Sequence, residues 1–128
     1  MLNKEKLEGF VLELGLSFEE QEENVWVVFG EERGMEAIIV LIEEPIVIVR
    51  VNVMDIPEKN VQEFYETLLR LNATDMIHGA YAVDGNKVIL MNTLVADTMD
   101  LEEFQATLDA IGLALVQHYE ILSKYRKP

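Results

Sequence analysis

Three apolar blocks stand close together in the first half of the chain: VWVVF at 25–29, AIIVLI at 37–42 and IVIVRVNV at 46–53. A strand with one wet face alternates apolar and polar residues, so runs that are apolar at every position predict strands covered on both faces. Only the third block relents. Arg50 and Asn52 share one face of it while Val47, Val49, Val51 and Val53 share the other, a pattern that predicts a place toward a sheet edge. Glycines and charges at 30–34 supply turn chemistry between the first two blocks, and Glu43, Glu44 and Pro45 turn the chain before the third. The three blocks therefore read as an antiparallel meander, with the acidic run Glu19, Glu20, Glu22 and Glu23 as a solvated approach to it.

Elsewhere the apolar positions recur at helical period. Asn3 caps a first helix whose inward stripe is Leu7, Phe10, Val11 and Leu14, ended by Gly15. Asp55 and Glu58 have the spacing of a capping box, with Pro57 suited to a first turn, and predict a second helix carrying Val61, Phe64, Tyr65, Leu68 and Leu71 with Asn72 as its terminator. Two more strands, Ala80 to Val83 and Lys87 to Leu94, pair around Asp84, Gly85 and Asn86, residues that tolerate positive backbone angles. Asp100 and Glu103 repeat the capping box and open the longest helix, which carries Phe104, Leu108, Ile111, Leu115, Tyr119 and Leu122 inward. The expected fold class is α+β, with an antiparallel five-stranded sheet in the order α-β-β-β-α-β-β-α. No Gly, Ser or Pro linker interrupts 1–128, which reads as a single domain.

Charge narrows the range of partners. Twenty-four acidic against ten basic side chains give a formal charge of -14, which repels phosphate backbones and anionic lipid at long range. The sequence thus points to no nucleic acid and no membrane as partners, and leaves a protein with basic character open. There is no cysteine, hence no sign of a disulfide framework or a thiolate metal site, and no apolar run approaches the ~18 residues of a membrane span. The expected location is cytoplasmic.

Chemistry is sparse. His78 and His118 are the two histidines, far apart and without the ligand spacing of a metal site. His78 is expected to shape the turn into the fourth strand, and His118 to sit on the flank of the last helix with its polar edge wet. Ser17 and Ser123 lack a nucleophile elbow and a base. The glycines are scattered turn residues without a phosphate-cradling loop. No catalytic residue, metal or cofactor is expected. Trp26 reads either as a core member or as an anchor for a partner, since aromatic side chains serve in both roles.

LLRLN at 68–72, HGAYAVDGNKVIL at 78–90 and LDAIGLAL at 108–115, in this order of elements, resemble the YbjN family, which is similar in fold to type III secretion chaperones of the Tir-chaperone kind. The resemblance covers nearly the whole chain, and the matching stretches are a helix end, a hairpin and an amphipathic helix. It implies a non-enzymatic, homodimeric module that holds an extended segment of a partner protein. The dimer interface it implies lies on the middle helix, at Val61, Phe64, Tyr65, Leu68 and Leu71. The competing expectation is a small-ligand sensor or enzyme, with a pocket between sheet and helices built on Arg50, Asn52 and His78.

Overall fold

The computed structural model describes residues 3–30, 37–76 and 78–126. Helix α1 spans Lys4–Glu13, and four strands follow: β1 Ser17–Glu22, β2 Val25–Phe29, β3 Ala37–Glu43 and β4 Ile46–Asp55. Helix α2, Val61–Thr74, leads to β5 Ala80–Asp84 and β6 Lys87–Val95; a short 3-10 turn at Ala96–Thr98 precedes α3, Leu101–Ser123. The strands form one antiparallel sheet in the order β1-β2-β3-β4-β6-β5.

The sheet has six strands, one more than the hydrophobic pattern predicts. The added strand is SFEEQE, the segment read as a solvated approach. Its carboxylates do not prevent strand formation because β1 is an edge, where charged side chains reach water and also discourage another sheet from pairing. β4 differs from expectation in the other direction: it lies between β3 and β6, so Arg50 and Asn52 occupy a central strand and not one near an edge. Most of the expected turn at 30–34 lies outside the described residues.

The cap assignments divide similarly. Asn3 accepts from the Lys6 amide at 2.8 Å and Asp100 from the Glu103 amide at 2.8 Å, as the spacing predicts. At α2 the capping box is not used. Asp55 ends β4, and the helix begins six residues later behind Asn60, which stands in the left-handed region at φ 57° and makes no side-chain cap bond. Gly15 adopts φ 76° and closes α1, with Leu16 and Gly15 amides returning to the Val11 and Leu12 carbonyls.

All three helices contribute to one core on one face of the sheet. Leu7 and Val11 of α1, Phe64 and Leu68 of α2, and Phe104, Leu108 and Ile111 of α3 are buried there with Val28, Val40, Val49 and Leu90. Trp26 belongs to this core, and its indole N–H donates to the Glu8 carboxylate of α1 at 2.8 Å. The register places Val25, Leu41 and Ile48 side by side on the opposite face, with Val27 and Ile39 in the adjoining row. None of these five belongs to the helical core.

Candidate protein-binding surface

Helix α2 has two apolar stripes. Phe64, Leu68 and Leu71 point into the core and are buried. Tyr65 and Leu69 lie on the outward side, 37% and 67% exposed, and across from them on the edge strand β5 Val83 is 47% exposed. Between helix and strand runs a shallow recess of about 450 Å³ lined by Tyr65, Leu68, Leu69, Asn72, Tyr81, Ala82 and Val83. Its lining is almost wholly apolar, with Asn72 as its amide side chain.

Asn72 does not end α2; the helix continues to Thr74. Its side chain instead meets the backbone of β5. The Tyr81 amide donates to Asn72 Oδ1 at 2.7 Å, and Asn72 Nδ2 donates to the Tyr81 carbonyl at 3.1 Å. The amide side chain carries one donor and one acceptor group in the arrangement of a peptide unit, so it satisfies the outward-facing backbone of Tyr81 as a neighbouring strand would.

The Tyr81 side chain points the other way, into the core. Its hydroxyl lies 2.7 Å from His118 Nδ1, and His118 Nε2 lies 3.0 Å from the Asp75 carboxylate at the end of α2. With Asp75 ionised, the neutral ring that satisfies every group carries its proton on Nε2, donates to Asp75 and accepts the Tyr81 hydroxyl at Nδ1. Hydrogen bonds from Thr74, first, and from His118 hold the Asp75 carboxyl below its ordinary range. Burial, assisted by the Asp75 charge, pushes the Tyr81 phenol up to about 12. His118 is therefore not wet: it is 1% exposed. Its ring nitrogens serve a buried polar cluster that the helical stripe conceals, because His118 lies within the inward arc of α3.

Asp–His–Tyr chains of this kind can relay protons, but here the two inner members are buried and each polar contact is made within the protein. The arrangement ties α2, β5 and α3 together and fixes the walls of the apolar recess. Glycine is required beside it. Gly79 stands at φ 85°, and a Cβ there would approach the Met91 carbonyl oxygen to 2.4 Å.

The residues of the competing pocket, Arg50, Asn52 and His78, lie apart from the recesses described here. Arg50 crosses β6 on the outer face of the sheet to pair with Asp84 at the end of β5, 2.7 Å away. Its Nε is buried without a hydrogen-bond partner. Asn52 is exposed on that face, and His78 is exposed in a bend. None of the three lines the apolar recess or the two recesses of mixed polar and apolar lining, of about 500 and 510 Å³, between the β4–α2 connection and the end of α3. Among the described residues there is no group of three or more His, Cys, Asp or Glu able to hold a metal ion, and no helix long and apolar enough to cross a membrane.

Of the interface residues implied on α2, Phe64, Leu68 and Leu71 are buried in the chain's own core, Val61 is half-buried and Tyr65 is exposed. The outward surface is completed by Leu69, Ala82 and Val83, which the reading of one inward stripe passed over. The signal was present in the doublet Leu68–Leu69: adjacent helical residues are 100° apart, so the pair cannot share one narrow stripe.

The fold is thus an α+β sheet with two free edges, helices on one side and an apolar groove between α2 and β5. Residues 2–128 match the CesT_Tir_1 family, a family of type III secretion chaperones, and the chain belongs to it. Solved structures agree on the fold. YbjN from E. coli superposes with a TM-score of 0.68 at 12% identity, covering 92% of each chain. A chain of the heterodimeric ExoU–SpcU complex of the Pseudomonas aeruginosa type III secretion system gives 0.70 at 12% identity, covering 87% of this chain and 93% of that one. The structure of the Yersinia pestis type III secretion chaperone SycH with a fragment of YscM2 gives 0.64 at 19% identity, covering 88% and 96%. No curated protein matches the sequence. The family is one of chaperones, and the solved structures add agreement of fold.

Proposed function

We propose that the chain is a non-enzymatic, homodimeric and cytoplasmic chaperone-like module that holds an extended segment of a partner protein. The observation that carries this reading is the paired exposure of Tyr65 and Leu69 on α2 with Val83 on β5 around an apolar recess. Such a surface favours protein contact over a small polar substrate.

A second copy suits this groove. Glu66 and Arg70 form an ion pair on the outward side of α2, 2.6 Å apart. In an antiparallel two-fold packing centred near Leu68, Glu66 of one copy faces Arg70 of the other, and Leu69 packs close to the axis. The interface thus moves off the buried Phe64, Leu68 and Leu71 and onto Tyr65, Leu69 and Val83. Partner binding is left to the open sheet face and the sheet edge, where the acidic excess favours encounter with basic segments and apolar contacts supply affinity.

Light scattering of the purified protein tests the dimer. Leu69→Asp is expected to yield a monomer with an unchanged circular dichroism spectrum, and a wild-type monomer across micromolar concentrations overturns the dimer. Affinity capture followed by mass spectrometry tests the partner. A co-purifying metabolite that stabilises the fold, with no protein enriched, overturns protein binding.

A further inference from the structure

Acidic side chains outnumber basic ones by 24 to 10, so carboxylates to pair with are plentiful. Lys4, Arg50, Arg70 and Lys87 each find one, on Glu20, Asp84, Glu66 and Asp55 in turn. Lys59, Lys124 and Arg126 pair with none among the described residues. These three stand together: they line one recess of about 510 Å³ between the approach to α2 and the end of α3, in which Glu58 is the one carboxylate. The negative end of the α3 dipole suits basic residues at 124 and 126, but Lys59 lies just ahead of α2, where the dipole is positive and disfavours a cation. Helix electrostatics therefore do not account for the cluster.

The walls are held in place by the protein itself. The Tyr125 hydroxyl donates to the Glu63 carboxylate at 3.0 Å, and its ring meets Phe64 edge-on with centroids 5.0 Å apart, which ties the end of α3 to α2. Arg126 is stacked over the Tyr119 ring at 5.6 Å. A second recess of about 500 Å³ shares Pro57, Tyr125 and Arg126 with the first and extends it to Met54 and Ile56. There the Ile56 amide donates to the Asn86 carbonyl at 3.0 Å, and Asp55 is engaged by Lys87. The joined recess carries its cations at one end and apolar side chains at the other.

We infer that this recess is a binding site for a small phosphate ester, with Lys59, Lys124 and Arg126 taking the phosphate oxygens and Met54, Ile56 and Pro57 taking the body of the ligand. Ammonium and guanidinium groups form their strongest hydrogen bonds to such oxygens, and each recess has the volume of an ordinary small-molecule site. No glycine-rich loop is required, because the donors are side chains. Size decides between a compact anion and an acidic polypeptide. Charge effects reach about 8 Å at physiological ionic strength, so a small ester feels the three local cations, whereas an extended acidic segment would run onto a surface belonging to a chain of net charge -14. The site goes beyond the protein-binding reading and lies on residues that reading does not use.

Amide NMR of the full chain tests the site, with pyrophosphate, ADP and octaglutamate as probes. Pyrophosphate is expected to shift the resonances of residues 58–60 and 124–126. ADP is expected to shift the same amides and those of 54–56, and to bind more tightly than pyrophosphate, while octaglutamate shifts neither set. Lys59→Gln and Lys124→Gln, both at exposed positions, are each expected to weaken ADP binding by about tenfold. Lys6→Gln removes the same charge from α1 and is expected to leave ADP affinity unchanged. An absence of shifts at 58–60 and 124–126 with pyrophosphate, or an equal loss in Lys6→Gln, overturns the site. Octaglutamate binding as tightly as ADP assigns the recess to an acidic polypeptide instead, and ADP binding no tighter than pyrophosphate overturns the role of Met54 and Ile56.

Discussion

Neighbouring residues of β4 lie in two different environments. Val49 faces the helices and is fully buried, whereas Ile48 faces away from them and is half-buried beside Leu41. Both side chains are β-branched and apolar, and the local sequence does not distinguish them. What differs is coverage: three helices supply the inner face with Leu7, Phe64, Phe104 and their neighbours, and none of these reaches the outer one. An apolar strand position therefore records a requirement for a covering layer without stating whether the chain itself provides it.

The largest effect that probes this contrast comes from the helical side. Phe104→Ala removes a fully buried ring and is expected to cost about 3–5 kcal/mol, measured by urea denaturation. No outer-face truncation should match it. A paired test on β4 follows. Val49→Thr buries an unpartnered hydroxyl at nearly constant shape and is expected to lose about 1–3 kcal/mol, whereas Ile48→Thr stays within about 1 kcal/mol and acts on association. Equal losses at the two positions would show that the outer face is as tightly packed as the inner.

Tyr81→Phe removes the hydroxyl that serves His118 and is expected to cost about 1 kcal/mol at neutral pH, with the fold retained. The smallest effect is at Asp75. Its carboxyl is held below the ordinary value of 3.8 by Thr74 and His118, so its contribution is fully present above that value and is lost as pH falls through the depressed folded one. Asp75→Asn is expected to flatten stability against pH on the acid side below 3.8 and to leave the inner-to-outer contrast unchanged.

Much of this architecture was legible in sequence because it is governed by local spacing. Asn3 and Asp100 cap the helices that their positions announce, and the Asp84–Gly85–Asn86 turn joins β5 to β6. β1 was not legible, since its glutamates are compatible with an edge only once a neighbour is known. Asn72 and His118 were misread for a related reason. A polar residue in a helix reads locally as a terminator or a wet flank, and its true partner, Tyr81, is supplied by tertiary contact. The proposed binding surface was half visible: α2 was identified, but its outward stripe of Tyr65 and Leu69 is defined only by where the core lies.

The strand order also dictates how the chain is assembled in time. β1, β2 and β3 each pair with the strand that follows, and β5 and β6 close a short hairpin, so each half gathers from local contacts. The two halves meet along β4 and β6, where Ile46 faces Val95 and Asp55 faces Lys87. That seam is the longest ladder in the sheet and joins distant stretches of chain, so its loop-closure entropy must be overcome before its contacts stabilise the fold. Zipping β4 to β6 is accordingly expected to be the slowest pairing step, and a chain in which it has not yet occurred would expose the valines of β4 on an edge that the finished molecule does not have.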